Sequence, residues 1–325
     1  MKKIFLLLLA VILFSCSAVK ETQTIKYEGF VFGTTYHITI LDDQNINFQK
    51  SIDSLFFLVN KSLSTYISTS DVSKINNGDS TVIVDELFVE VFQKSKRIFK
   101  ETDGYFDPTV GNLVNAWGFG PKEAKKEMDS IEVRKMMQFV GLDNVELKQN
   151  KILKEFKEIY LDFNSIAKGF GIDVVGRFIE SKQVQNYMVE IGGEIRAKGK
   201  NNEGNFWKVA IEKPNTDGSQ SFQTAIQLKN ESMATSGNYR KFRITEAGKK
   251  YVHTVNPKTG FATESNLLSA SVIAASDCAD VDAYATAFMA MGFEKTKEFL
   301  KNNNSIKVIL IYLKNDNSIN EFRNF

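Results

Sequence analysis

Apolar and polar positions change period several times along the chain, and each change marks an element. From residue 25 to 41 they alternate well enough for one or two strands, interrupted at Gly33. Ile52, Leu55, Phe56 and Val59 then recur at helical spacing and predict a helix over 51–62. A second helix is predicted from Asp85 to Lys100. Acids open it, and Lys96, Arg97 and Lys100 stand near its end, as the helix dipole favours. Ser130 is placed to cap a third helix that stops before Gly141. Short strands around 145–161 lead to a helix near 166–181, where Ile166, Phe170 and Val174 are spaced by four. The second half is richer in strands, predicted at 186–191, 206–212, 222–228, 239–245 and 267–275. Helices near 279–291 and 294–302 and an apolar strand at 306–313 complete the pattern. Strands and helices mix without strict alternation. That predicts an α+β fold with mixed or antiparallel sheets and flanking helices, not a doubly wound one.

Composition narrows the classes. The 325 residues are 43% hydrophobic and 25% charged, ample for a sizeable core. Two of the positive charges, Lys2 and Lys3, lie in a segment expected to be removed, and the rest balances 39 against 39. No basic bias points to nucleic acid. Lys2 and Lys3 precede an apolar run from Ile4 to Phe14, followed by Ser15 and Cys16. A basic start with so short an apolar run reads as an export signal rather than a membrane span. Leu13-Phe14-Ser15-Cys16 resembles a bacterial lipobox, which makes Cys16 the lipidation site. An uncleaved anchor or an ordinary signal peptide is the alternative. The expected organisation is a lipoprotein-type signal over 1–15, a tether over 16–24 and one enzyme domain over 25–325. The protein is then exported and lipid-anchored, facing the periplasm, and Ser17 does not decide which membrane holds it. With Cys16 acylated, Cys278 is the single remaining thiol, and it reads as a buried small apolar residue.

The common catalytic outfits are mostly excluded. The two histidines, His37 and His253, lie far apart in sequence, which argues against a histidine-rich zinc site. Neither a Walker phosphate loop nor a strand-turn-helix dinucleotide fingerprint is present. What remains is a series of glycine-containing polar segments. Gly33-Thr34-Thr35-Tyr36-His37, taken alone, reads as a strand kink before it reads as a site. Gly104 to Gly111, followed by Trp117-Gly118-Phe119-Gly120-Pro121, sets aromatics among glycines, which suits a planar ring or a packed loop. Asp162 to Gly169 ends at a helix start, where free amides and Lys168 form a natural anion site; an ordinary cap by Asn164 or Ser165 is the alternative. Gly192-Gly193-Glu194, Ala234-Thr235-Ser236-Gly237 and the turn from His253 to Gly260 follow. Finally, Asp282 and Thr286 are four apart, so on a helix both oxygens face one side and suit a hard cation such as Mg²⁺; taken alone, a packed Thr286 and an Asp282 near a helix start are the simpler reading.

In order and wording these segments resemble the ApbE family of FAD:protein FMN transferases, from about Gly33 to about Gly292. The most specific pieces are Phe106 to Gly111, Ala116 to Pro121, Ser165 to Phe170 and Gly192-Gly193-Glu194. The resemblance implies a two-part, T-fold-like architecture with FAD in the cleft. It implies Mg²⁺ on Asp282 and Thr286, with the backbone carbonyl of Ala167 as a further ligand. It implies that Phe32, Tyr66, Trp117, Gly118, Phe119, Asn164, Phe170 and Val255 line the flavin nucleotide. Lys168 joins this set through the anion-site reading. Phe32 stands where many members have methionine, Ala285 where some have serine, and Asn256 where aspartate is common. The implied reaction moves FMN from FAD to a threonine or serine hydroxyl of an acceptor protein and releases AMP. His253 would accept the proton, or only position the diphosphate. The implied acceptors are exported flavoproteins, such as subunits of Rnf- or Nqr-type electron-transfer complexes. A Mg²⁺-dependent FAD pyrophosphatase and a non-catalytic FAD-binding lipoprotein are the rival readings.

Overall fold

A hairpin opens the described part of the chain. Strands β1 (Gln23–Val31) and β2 (Thr34–Asp42) pair in register through a tight turn at Phe32 and Gly33. The computed structural model describes residues 23–42, 47–125, 128–212, 222–238, 242–244, 250–262, 265–316 and 318–325. The export signal and Cys16 lie outside the described residues.

Eight strands form the main sheet in the order β1-β2-β5-β6-β9-β12-β13-β14, and every neighbouring pair runs antiparallel. The later members are β5 (Asn186–Ile191), β6 (Glu194–Lys198), β9 (Ser232–Gly237), β12 (Leu267–Ala274), β13 (Lys307–Leu313) and β14 (Ile319–Arg323). Three two-stranded ribbons complete the β structure among the described residues. They are β3 (Val145–Lys148) with β4 (Lys151–Lys154), β7 (Trp207–Glu212) with β8 (Phe222–Leu228), and β10 (Phe242–Ile244) with β11 (Lys250–Val252).

Alternation along the strands gives the sheet two apolar faces. On one face, Ile195, Ala197, Met233, Ile273 and Ile309 pack under the β7–β8 ribbon through Trp207, Val209, Ile211 and Leu228. The other face carries the helices and the larger core. Helix α6 (Ala167–Ser181) lies on β5 and β6, and α7 (Cys278–Met291) lies beside it on β9 and β12. Helix α7 is apolar nearly all round and almost wholly buried, as a central helix must be. Outside it, α1 (Gln49–Leu63) packs on α6, while α3 (Glu86–Glu101) and α8 (Phe293–Lys301) pack on α7. The short helices α2 (Asp71–Asn76), α4 (Gly111–Ala116) and α5 (Ser130–Met137) lie in the connections.

The α+β class and most predicted elements are present, with differences that have physical reasons. Strand β9 reads as a polar loop in sequence. It is a buried central strand whose small residues, Ser-Met-Ala-Thr-Ser-Gly, leave room for α7 directly above. Strands β6, β11 and β14 and helices α2 and α4 are too short or too polar to announce themselves. Residues 155–161 are not a strand, although Tyr160 makes a single bridge to Val110. The cap of α5 is Asp129, one residue before the predicted Ser130: its Oδ1 accepts the amides of Ile131 and Glu132, both at 2.8 Å. Among the described residues, no helix is long and apolar enough to cross a membrane.

Candidate active site

The first turn of α6 abuts α7 because residue 169 is glycine. A Cβ there would meet the carbonyl oxygen of Cys278 at 2.4 Å and Cα of Ala279 at 2.8 Å. No side chain caps α6; neither Asn164 nor Ser165 takes that part, and its N-cap is Ile166. The amide of Gly169 donates instead to Oδ2 of Asp282 on α7, at 3.1 Å. Asp282 is 4% exposed. Burial raises its pKa, against the opposing pull of Lys168 and the Gly169 amide. One helical turn on, the Thr286 hydroxyl lies 3.4 Å from Ser236 Oγ of β9. Ala167 opens α6 two residues before the Gly169 amide, so the structure brings together the three segments predicted to hold a cation.

Lys168 does not stand free at this helix start. Its Nζ lies 2.6 Å from Oε2 of the buried Glu194, which follows the Gly192-Gly193 turn onto β6. Burial pushes the Glu194 carboxyl up to about 7; Lys168 opposes this shift and Asp282 adds to it. Burial would lower the Lys168 amine, but the charges of Glu194 and Asp282 outweigh it and leave the pKa raised. The sequence marks Glu194 only as part of a motif, with no sign of its partner.

A second network fixes α7 in place. The amides of Cys278 and Ala279 donate to the two oxygens of Asp173 on α6, each at 2.8 Å. This is a helix cap supplied by a neighbouring helix, and nothing local in the sequence reveals it. Arg196 of β6 bonds both Asp173 and Asp277 at 2.7 Å. Burial and the nearby Asp277 hold Asp173 up at about 6. Asp277 itself falls to about 2: burial raises it, but Lys94 and Arg196, bonded to it, and the Arg177 charge outweigh that. Cys278 is fully buried beneath this network, as its sequence context predicts.

The predicted flavin-lining residues divide by exposure. Tyr66 is 63% exposed, and Asn164 is exposed with its Nδ2 donating to Thr65 Oγ1 at 3.2 Å. Phe32 is half-buried at a backbone φ of +51°, its ring edge-on to Phe56 and seated over Gly171. Phe119 is half-buried, with its ring 6.5 Å from that of His253. Gly118, at φ +82°, makes the left-handed turn between Trp117 and Phe119.

Three of the set have no open face. Trp117 is 4% exposed and donates from Nε1 to the Gly260 carbonyl at 2.9 Å. It packs in a small cluster with Leu113, Val133, Val255 and Ala262, so Val255 is buried as well. Phe170 is fully buried, because with Ile166 it occupies the core face of α6. These three side chains are packed inside the fold and offer no open surface to a ligand.

The Phe106 to Gly111 motif proves to be a buried knot rather than an open aromatic loop. Asp107 Oδ1 accepts the Thr109 amide and hydroxyl at 2.8 and 2.6 Å, and Oδ2 accepts the Leu142 amide at 3.3 Å. Burial nevertheless lifts Asp107 to about 6. The knot leads straight into α4 and so sets the Trp117 turn. Strand β9 ties the two ends of the site. Ser236 reaches Thr286, and Asn238, just beyond the strand, accepts from Thr254 Oγ1 at 3.0 Å beside His253. Asn256 donates from Nδ2 to the Ala290 carbonyl, a bond that an aspartate could not donate.

The ApbE family's sequence model matches residues 32–310, a span that contains all of these segments. This chain belongs to the ApbE family. A relative from Haemophilus influenzae named FAD:protein FMN transferase is 38% identical over 305 residues, covering 90% of this chain and 88% of its own. One of the same name from Vibrio cholerae is 35% identical over 326 residues, covering 98% and 96%. A solved structure of the Vibrio cholerae flavin transferase ApbE superposes with a TM-score of 0.83 at 33% identity, over 93% of this chain and 97% of that one. The apo Pseudomonas stutzeri flavinyl transferase ApbE gives 0.83 at 26% identity, over 94% and 96%.

In this ApbE-family chain, the described residues contain no group of three or more histidine, cysteine, aspartate or glutamate side chains that could hold a metal. The predicted donors are one buried carboxylate, one hydroxyl and a main-chain carbonyl. All are hard oxygens, the donor type of Mg²⁺ and Ca²⁺, whereas Zn²⁺ sites favour nitrogen and sulfur. They fit Mg²⁺, which keeps several waters and shares substrate phosphates.

Proposed function

We propose that the protein transfers FMN from FAD to a threonine or serine hydroxyl of an exported acceptor protein and releases AMP. Membership of the ApbE family from residue 32 to 310, which keeps the Ala167, Asp282 and Thr286 segments together, carries this reading. FAD would lie along the Tyr66, Asn164 and Phe119 surfaces, with its diphosphate toward the start of α6. Asp282, Thr286 and the Ala167 carbonyl would hold Mg²⁺. When bound, that ion supplies positive charge that offsets the diphosphate and the departing AMP. The acceptor oxygen bonds to the FMN phosphorus, the bond from that phosphorus to the bridging oxygen breaks, and AMP leaves with its electrons. His253, beside Phe119, would take the hydroxyl proton; an imidazole is suited to that near neutral pH.

By the same reading, Cys16 carries lipid and the enzyme works outside the cytoplasm on exported electron-transfer flavoproteins, of which Rnf- or Nqr-type subunits are the candidates. The test is to mix protein, FAD and Mg²⁺ with and without an acceptor peptide containing the target hydroxyl. Flavin fluorescence on the denatured acceptor is the expected result. Free FMN with equal yield whether or not acceptor is present would instead mark a pyrophosphatase, and no product a binding protein.

A further inference from the structure

Glu194 is an expensive residue to place where it stands. It is 3% exposed, and its Oε2 makes no aligned hydrogen bond, only the ion pair with Lys168 Nζ at 2.6 Å. A buried ion pair adds little to stability over an apolar pair of similar volume, so its presence calls for another reason. The site supplies one. Lys168 follows Ala167 directly, and its charge acts on Asp282 as well as on Glu194. Asp282 has one backbone donor, Gly169, on Oδ2. Lys168 immediately precedes that glycine, and an ammonium on a flexible four-carbon stem can compete for the rest of the carboxylate.

We propose that Glu194 is a positioning residue for the cation site: it holds the Lys168 ammonium on the β6 side and keeps Asp282 available to a divalent ion. This rests on the cation site of the proposed function. The turn at Gly192-Gly193 delivers Glu194 to the helix face of the sheet, opposite the start of α6, where a carboxylate can reach Lys168. Without Glu194, the amine relaxes toward Asp282, the remaining buried anion whose charge it feels, and a metal must displace it. The effect is on cation affinity, and it depends on Lys168 being present.

The test is Mn²⁺ binding to the full protein, read by electron paramagnetic resonance without FAD, with thermal melting as a check on folding. Glu194→Gln should weaken Mn²⁺ roughly tenfold, the scale of one unit charge moved beside an anionic ligand at a part-buried site. Removing the competitor as well, in Lys168→Met with Glu194→Gln, should bring affinity back to within about threefold of wild type. A pair that only stabilises the fold predicts no such recovery. If Glu194→Gln does not fold, Glu194→Asp replaces it: the shorter carboxylate lengthens the pair, and affinity should fall by a smaller factor. Wild-type affinity in the folded single variant, or a double variant no tighter than the single, would overturn the inference. Wild-type binding that Asp282→Asn abolishes, with no response to Glu194, overturns this inference alone. If wild type binds no Mn²⁺ either alone or with FAD added, the cation site falls with it.

Discussion

Asp282 holds a carboxylate where burial opposes its charge while the Lys168 charge and one backbone amide favour it. That balance suits a group meant to meet a cation. Asp282→Asn keeps the shape and removes the charge, so FMN transfer at limiting Mg²⁺ should fall by at least about a hundredfold, while the melting temperature holds or rises. Transfer at the wild-type rate would make Asp282 a structural residue. Asp107 tests the same physics away from the chemistry. Its folded pKa, about 6, stands above its ordinary 3.8. The folded state therefore holds the proton more tightly. Its favourable contribution is complete below about pH 4 and is lost as pH rises through 6. Asp107→Asn does not titrate, so it should gain on wild type by on the order of 2–3 kcal/mol between pH 4 and 8. Urea midpoints of the two proteins at both ends of that range measure it. A stability difference that does not change with pH would contradict the assignment.

At the scale of elements, the long amphipathic and alternating segments are legible in sequence because one face of each meets a core. Helices α1, α3, α6 and α8 and strands β5, β7 and β8 follow from period, while α7, β12 and β13, buried on nearly every side, are legible from apolar content instead. What sequence hides is what tertiary contact decides. Strand β9 looks like a loop because its small polar residues answer to α7 above it. The cap of α7 comes from Asp173 on another helix, and the partner of Lys168 from a strand across a turn. For the site, the motif order marked segments that the fold brings together but not which side chains face outward, and Trp117, Phe170 and Val255 are buried. The Trp117 turn is accordingly a positioned element, pinned through Gly260 and fed by the Asp107 knot. Trp117→Ala should weaken FAD binding by about 1–3 kcal/mol, through loss of the turn's shape rather than loss of stacking. Trp117→Phe keeps most of the volume and loses the Nε1 bond, so its loss should be smaller. Equilibrium titration by flavin fluorescence separates them, and unchanged affinity in a folded alanine variant would remove this turn from the site.

For the whole molecule, the place of work follows from how little chain separates the fold from its proposed anchor. Cys16 precedes the first described strand, at Gln23, by seven residues. Even fully extended, that length spans only about 25 Å. If Cys16 carries lipid, the start of β1 stays within that distance of the bilayer, and acceptors held at the same surface are favoured by effective concentration. The proposed chemistry calls on none of this, because every residue proposed for the site lies between Phe32 and Thr286. Cys16→Ala should therefore separate the two properties. In cells it should take up no labelled fatty acid and accumulate as unprocessed precursor, and covalent flavin on membrane acceptors should drop. Purified protein that starts after Cys16 should flavinylate a soluble peptide at the wild-type rate. Fatty-acid label on the Cys16→Ala protein would overturn the anchor. Loss of peptide activity in the shortened protein would show that the N-terminal segment serves the site itself.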